Sequence, residues 1–223
     1  MADYGTLEYW EERYKKDRNP YDWYQKWDML ENLLKEYIGK DDKILIVGNG
    51  TSRLPEDLYD GGFRNVECMD ISLTAVDIMH ERLASRGIKC QVSDVLNMVQ
   101  FLDNEYNIVL DKGTFDTILC SENSYVKADQ MLKEIYRILN KENGKYICIS
   151  YGQPSYRLTY LKTMNKWDVD VLSVKKPMSS NIYKLTHNNN SNDGYQNEDS
   201  NNNSDRPDLF HYIYICKLKK NNE

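Results

Sequence analysis

Ile44-Leu45-Ile46-Val47 runs straight into Gly48-Asn49-Gly50. An apolar run with the character of a buried strand thus breaks into Gly-x-Gly, and two glycines at a strand end let a ligand approach the backbone. A second apolar run, Val66-Glu67-Cys68-Met69, ends in Asp70, twenty residues past Gly50. A carboxylate there is placed to accept both hydroxyls of a ribose. The pattern reads as a nucleoside-cofactor site. Arg53 stands where a dinucleotide fingerprint carries its third glycine. A pyrophosphate needs the close helix approach that this glycine permits, so NAD is disfavoured. A cofactor with a nucleoside and no phosphates fits better, and S-adenosylmethionine is the common one.

Two further acids fall at expected strand ends, in Asp94-Val95 and in Asp111-Lys112-Gly113-Thr114. With Asp70 they converge on one cleft, where mutual repulsion costs stability unless a ligand uses them. Asp94 suits the exocyclic amine of adenine, with the Val95 amide against the ring and Ile71 on its face. The plain alternative for Asp94 and Asp111 is that each caps a following helix. Trp10, Arg13 and Tyr14 lie three and four apart and share a helix face. That face can close over the methionine end of the cofactor, with Arg13 meeting its carboxylate and the rings facing the sulfonium. Simple packing of Trp10 and Tyr14 on the core is the alternative.

Methyl transfer asks mainly for alignment of donor and acceptor. If the acceptor is an amine such as lysine, it must be neutral, which costs roughly 4–5 kcal/mol at pH 7 from a reference pKa of about 10.4. Burial and a nearby sulfonium both lower that pKa, so a dedicated base is not required. This suits a chain with only 3 histidines. His80 falls in an expected helix and His187 in a polar tract, and His211 in a strand is read as structural. Asp111 is the candidate for orienting the acceptor. Tyr151, Tyr156 and Arg157 either line a channel for an alkyl amine or pack the start of a helix.

The spacing of apolar residues predicts helices over 6–16, 27–38, 54–60, 73–86, 127–139 and from 153 to about 164. It predicts strands over 43–47, 65–70, 88–93, 106–111, 145–150, 167–174 and 209–218. Alternation of this kind requires right-handed crossovers and an α/β, doubly wound, mostly parallel sheet covered on both faces. No helix is evident between the last two strands, so they are read as an antiparallel hairpin at the sheet edge. Residues 187–205, almost all Asn, Ser, Asp and Glu, cannot bury enough surface to offset their ordering entropy and are expected to form a disordered insertion.

The 223 residues suit a single domain spanning 1–223, with residues 1–26 covering the cofactor. A net charge of −6 argues against a nucleic-acid binder, whose footprint is basic. No apolar run approaches a bilayer span, no metal site is expected, and Met1-Ala2-Asp3-Tyr4 lacks the pattern of a secretory signal. The 5 cysteines include no C-x-x-C pair and read as reduced thiols, which points to the cytoplasm.

The stretch from Ile44 to Tyr59, the block Leu110-Asp111-Lys112-Gly113-Thr114-Phe115-Asp116, and the opening Glu8-Tyr9-Trp10-Glu11-Glu12-Arg13-Tyr14 with Pro20-Tyr21-Asp22-Trp23 occur in this order. In them the chain resembles the class I, seven-strand methyltransferases related to the elongation factor 1-alpha lysine methyltransferases. The resemblance runs from residue 8 to about 160. It implies a Rossmann-like sheet of order 3-2-1-4-5-7-6 with an antiparallel last strand, and S-adenosylmethionine as cofactor. It implies cofactor contacts at Trp10, Tyr14, Trp23, Gly48, Asp70, Ile71, Asp94, Val95 and Lys112. It implies lysine methylation of a translation elongation factor; a small-molecule acceptor, or a binding module without turnover, stays open beside it. The family usually carries Gly-Cys-Gly where this chain has Gly48-Asn49-Gly50, and Asn tolerates the same turn.

Overall fold

The computed structural model describes residues 3–177 and 207–219. Its strands are β1 (Ile44–Val47), β2 (Val66–Asp70), β3 (Lys89–Val92), β4 (Ile108–Lys112), β5 (Lys145–Ser150), β6 (Trp167–Lys175) and β7 (Phe210–Leu218). They form one sheet of order β3-β2-β1-β4-β5-β7-β6. β1 to β5 pair in parallel, and β7 runs antiparallel to both β5 and β6. This is the seven-stranded, Rossmann-like order that the motifs imply.

Helices α1 (Leu7–Lys16) and α2 (Trp27–Leu34) precede the sheet. The strands are then linked through α3 (Leu54–Asp60), α4 (Leu73–Leu83), α5 (Thr114–Ile118) and α6 (Ser124–Ile138), with α7 (Pro154–Leu161) after β5. Side chains alternate across a strand. Ile44 and Ile46 therefore pack with Leu30, Leu34, Leu58 and Met79 on one face, and Leu45 and Val47 with Met131, Leu132 and Ile135 on the other. Burial on both faces explains why β1 reads as an unbroken apolar run rather than an alternating one. The order reverses between β2-β1 and β1-β4, so the crevice for a ligand lies beyond the carboxyl ends of β1 and β4.

Several boundaries differ from expectation for local reasons. α2 stops at Leu34 rather than Ile38, because the Leu34 carbonyl accepts from both Tyr37 N (2.8 Å) and Ile38 N (3.1 Å) and the chain tightens into a turn that still buries Ile38. α4 stops at Leu83 and passes through a 3₁₀ turn, Ala84–Arg86, to Gly87 at φ 67°. The helix expected from residue 127 starts at Ser124, after Asn123 at φ 55°, and α5 ahead of it was not expected.

The consequential difference is in β4, expected over 106–111. It starts two residues later and runs one past Asp111, which pairs with Val47 and Cys148 inside the sheet. Asp111 is therefore a strand residue on the face of Val109, and Lys112 on the opposite face, because a strand inverts side with each residue. The Asn-rich tract 187–205 lies outside the described residues. Among the described residues no helix is long and apolar enough to cross a membrane, and no cluster of His, Cys, Asp and Glu is grouped to hold a metal ion.

Candidate active site

A cavity of about 390 Å³ lies at the carboxyl ends of the central strands. Its floor is the loop after β1. Gly48 and Gly50 hold φ of 59° and 52°, which L side chains rarely adopt, and a Cβ would overlap the Thr114 side chain at Gly48 and the Tyr14 hydroxyl at Gly50. Asp70 fastens this loop to β2. Its Oδ2 accepts from Gly50 N at 2.7 Å and its Oδ1 from Ser72 N at 2.9 Å. Burial pushes the carboxyl up to about 6, although the Ser72 and Gly50 amides pull the other way. Asp94 Oδ1 accepts from Leu96 N at 2.8 Å, so it caps a turn while still lining the cavity. Ile71 and Val95 line the same wall. Asn49 Oδ1 and Ser93 Oγ are buried at the cavity without a hydrogen-bond partner among the described residues.

The cover comes from residues 4–24. Thr6 caps α1 by accepting from Tyr9 N at 3.4 Å, and Glu11 ties the helix to α4 through the Thr74 amide (3.2 Å) and hydroxyl (2.6 Å). That anchoring turns the Trp10, Arg13 and Tyr14 face toward the cavity. Trp10 stacks on Tyr14 with ring centroids 5.8 Å apart, and its indole N–H donates to the Tyr4 carbonyl at 2.9 Å. Burial, reinforced by nearby Asp70, raises the Tyr14 phenol well above its usual range. The Arg13 guanidinium lies 5.0 Å from the Tyr21 ring and 5.6 Å from the Trp23 ring.

Lys112 secures the cover from below. Its Nζ donates to Asp22 Oδ1 and to the Trp23 carbonyl, both at 3.0 Å. Burial lowers the Lys112 pKa and Asp22 opposes that. Burial likewise raises the Asp22 carboxyl, but Lys112, the Ser52 hydroxyl and the Arg53 amide together hold it below the ordinary value. The buried Lys112 cation at the cavity is thus paired with its own carboxylate, which gives the Asp22 and Lys112 motifs a shared purpose.

Trp10, Arg13, Tyr14, Trp23, Gly48, Gly50, Asp70, Ile71, Asp94, Val95 and Lys112 all line the cavity. Asp111 does not, and its assignment as a cofactor contact and acceptor-orienting acid is corrected. It is fully buried and faces away. Its carboxylate accepts from Thr114 N (2.8 Å), Phe115 N (3.0 Å) and the Tyr146 hydroxyl (2.8 Å), so it caps α5. Burial lifts it to about 7.

The acid that reaches the cavity from this motif is Asp116. It binds Tyr24, Ser150 and Arg157, a cluster that sequence reasoning missed. The available signal was its place at the end of the Leu110–Asp116 block, one helical turn beyond Gly113. Of the residues after β5, Tyr151 lines the cavity, Arg157 is buried against Asp116, and Tyr156 is 67% exposed and outside it.

A doubly wound sheet of this order, with a glycine loop and a ribose-suited acid at its switch point, defines a nucleoside-cofactor enzyme of the seven-strand methyltransferase fold. The family described as Methyltransferase domain matches residues 45–148. EEF1A lysine methyltransferase 4 of Mus musculus is 30% identical over 178 residues, covering 74% of this chain and 69% of the relative. The eEF1A lysine and N-terminal methyltransferase of Bos taurus is 35% identical over 155 residues, covering 68% of this chain and 22% of the relative. The chain thus spans about a fifth of that longer relative's length. A TehB-like SAM-dependent methyltransferase from Corynebacterium glutamicum shares the fold at a TM-score of 0.59 and 14% identity, covering 96% of this chain and 100% of its own. The chain belongs to the S-adenosylmethionine-dependent methyltransferase family.

The site fits that cofactor. The glycine cradle, the buried Asp70 at the end of β2 and two buried polar atoms without a partner among the described residues are what a nucleoside with amine donors would use.

Proposed function

We propose that this chain methylates a lysine amine of a protein, with a translation elongation factor of the 1-alpha type as its substrate. The observation that carries this reading is the likeness to EEF1A lysine methyltransferase 4, which extends over 69% of that protein. The cavity is compatible with it, since the Trp23, Tyr24 and Tyr151 rings gather beside Asp116 in its wall.

In this reading Asp70 takes the ribose hydroxyls, and Asp94 the adenine amine, with Val95 and Ile71 against the ring. Gly48 and Gly50 let the backbone approach. Arg13 receives the methionine carboxylate, and Trp10 and Tyr14 screen the reacting end from water. Trp23 and Lys112 hold the cover in place. Residues 1–26 act as that cover within one domain, in a cytoplasmic protein. S-adenosylmethionine held by these residues would supply an electrophilic methyl group to the amine, with S-adenosylhomocysteine as the leaving product and the surplus N–H proton passing to water. The chain's own part is to align the amine, exclude water and bring the amine in neutral.

The test is incubation with recombinant elongation factor 1-alpha and isotope-labelled S-adenosylmethionine, followed by mass spectrometry. Label on a lysine of the factor is expected. No label, from protein that binds S-adenosylhomocysteine normally, would sink the substrate assignment and leave the cofactor site standing.

A further inference from the structure

Tyr24 is the odd residue of the cover. It holds φ at 63°, a left-handed backbone that a bulky side chain adopts only when its surroundings force it. The forcing is visible on both sides. The Trp23 carbonyl just before it accepts from Lys112 Nζ at 3.0 Å and from Gln25 N at 2.8 Å. The Tyr24 hydroxyl donates to Asp116 Oδ2 at 2.7 Å. Gly113 leaves the ring its space, since a Cβ there would sit 3.3 Å from it.

Asp116 is itself held from behind. Its Oδ1 accepts from the Ser150 hydroxyl at 2.6 Å and from Arg157 Nε and Nη2 at 3.0 and 2.7 Å, and its Oδ2 also accepts from Tyr151 N at 3.2 Å. With five donors on it, this carboxylate keeps one orientation. The Tyr24 proton is therefore committed to Asp116, and the lone pairs of Tyr24 Oη are what the hydroxyl has left to offer. Donation to a carboxylate strengthens that oxygen as an acceptor. Burial and then Asp116 raise the Tyr24 phenol far above its usual range, so it stays protonated and cannot serve as a base. Trp23 and Tyr151 flank it in the cavity wall, with ring centroids 6.3 and 6.1 Å from the Tyr24 ring.

We propose that Tyr24 receives the methyl acceptor: its hydroxyl oxygen accepts one N–H of the incoming amine, Trp23 and Tyr151 flank the alkyl chain, and Asp116 is the positioning residue behind it. The inference rests on the lysine reading above and deepens it. An oxygen that can only accept selects a nucleophile carrying N–H and disfavours a carboxylate, which would also meet Asp116. Holding one N–H leaves the nitrogen lone pair free to point along the reaction line. The strained backbone of Tyr24 is then the device that aims its hydroxyl.

The experiment compares Tyr24→Phe and Asp116→Asn with the unaltered protein. Methylation of recombinant elongation factor 1-alpha is measured alongside S-adenosylhomocysteine affinity by calorimetry. The expected result for Tyr24→Phe is at least a tenfold fall in kcat/KM, S-adenosylhomocysteine affinity within twofold, and a retained thermal transition. Unchanged kcat/KM in Tyr24→Phe overturns the proposal. Asp116→Asn is expected to lower kcat/KM in the same direction, and Tyr24→Phe combined with it should add little. Additive losses would overturn the positioning role of Asp116. If the unaltered protein fails to methylate the factor, the substrate reading fails, and n-butylamine becomes the probe. It is titrated into S-adenosylhomocysteine-saturated protein and followed by tryptophan fluorescence. Binding weakened at least fivefold by Tyr24→Phe supports the amine site; equal binding, or none in the unaltered protein, overturns it.

Discussion

At the Asp70 end of the cavity the carboxylate's contacts join residues close in the chain. Asp70 reaches Gly50 across 20 positions and Ser72 across 2, and both donors are backbone amides. At the far end Tyr24 reaches Asp116 across 92 positions, and Asp116 meets Arg157 across 41 and Ser150 across 34, all through side chains. The first arrangement is built by a parallel sheet whose strand ends must lie side by side, so backbone geometry does most of the placing. The second needs the cover segment, the turn after β4 and the start of α7 to dock before any of its bonds can form. A backbone-built site tolerates neighbouring side-chain change; a site built from remote side chains does not.

Removing the acid at the cofactor end should produce the largest effect. In the proposed binding mode Asp70→Ala deletes the acceptor for two charge-assisted hydrogen bonds from the ribose, of about 1.5–3 kcal/mol each. S-adenosylhomocysteine affinity by calorimetry should fall at least ~100-fold, since every 1.4 kcal/mol is about tenfold. Circular dichroism should still report a folded protein. Near-normal affinity would falsify the role of Asp70.

Arg157→Met attacks the other end. It leaves the buried Asp116 carboxylate without its cation, a change that typically costs about 3–5 kcal/mol of stability. Denaturant unfolding should register that loss, while S-adenosylhomocysteine affinity moves less than about twofold once corrected for folded fraction. A large affinity loss would show that the two ends are one unit and erase the contrast drawn above.

The pH dependence should also separate them. With its carboxyl pushed by burial to about 6, Asp70 carries a proton below that pH in the cofactor-free protein. If Asp70 takes the ribose hydroxyls as proposed, binding needs the ionised form, so affinity should rise as pH increases toward 6 and level off above about 7. Below 6 the slope should approach tenfold per pH unit. Calorimetry between pH 5 and 8 checks this, and Asp70→Asn should flatten the profile. A slope that survives in Asp70→Asn assigns the titration elsewhere.

The smallest effect is expected at Ser72, whose Oγ caps α4 by accepting from Ala75 N at 3.1 Å. Ser72→Ala should cost about 1 kcal/mol of stability and change cofactor affinity little, although it sits two residues from Asp70. A strong affinity change would mean that the cap also sets the orientation of the Asp70 carboxylate.

Much of the cofactor end was legible in the chain itself. The run from Ile44 to Val47, the two glycines and the acid ending β2 are local signals, because a buried parallel strand must be apolar throughout and a tight turn with positive φ is easiest for glycine. The face shared by Trp10, Arg13 and Tyr14 follows from helical spacing alone. Asp111 and Lys112 were the opposite case. Sequence placed Asp111 at a strand tip open to the cleft, but it pairs with Val47 and Cys148 inside the sheet on the buried face of Val109, and Lys112, one residue on, takes the opposite face toward Asp22.

By itself, then, the chain determined a doubly wound sheet, a nucleoside-cofactor loop and an aromatic cover, because periodicity, glycine placement and strand-end acids act over a few residues each. Only the tertiary structure decided which acid of the Leu110–Asp116 block faces the cavity, what neutralises Lys112, and that Tyr24, Ser150 and Arg157 meet at Asp116. Those outcomes depend on register and on the docking of distant segments, and neither leaves a periodic trace in the order of residues.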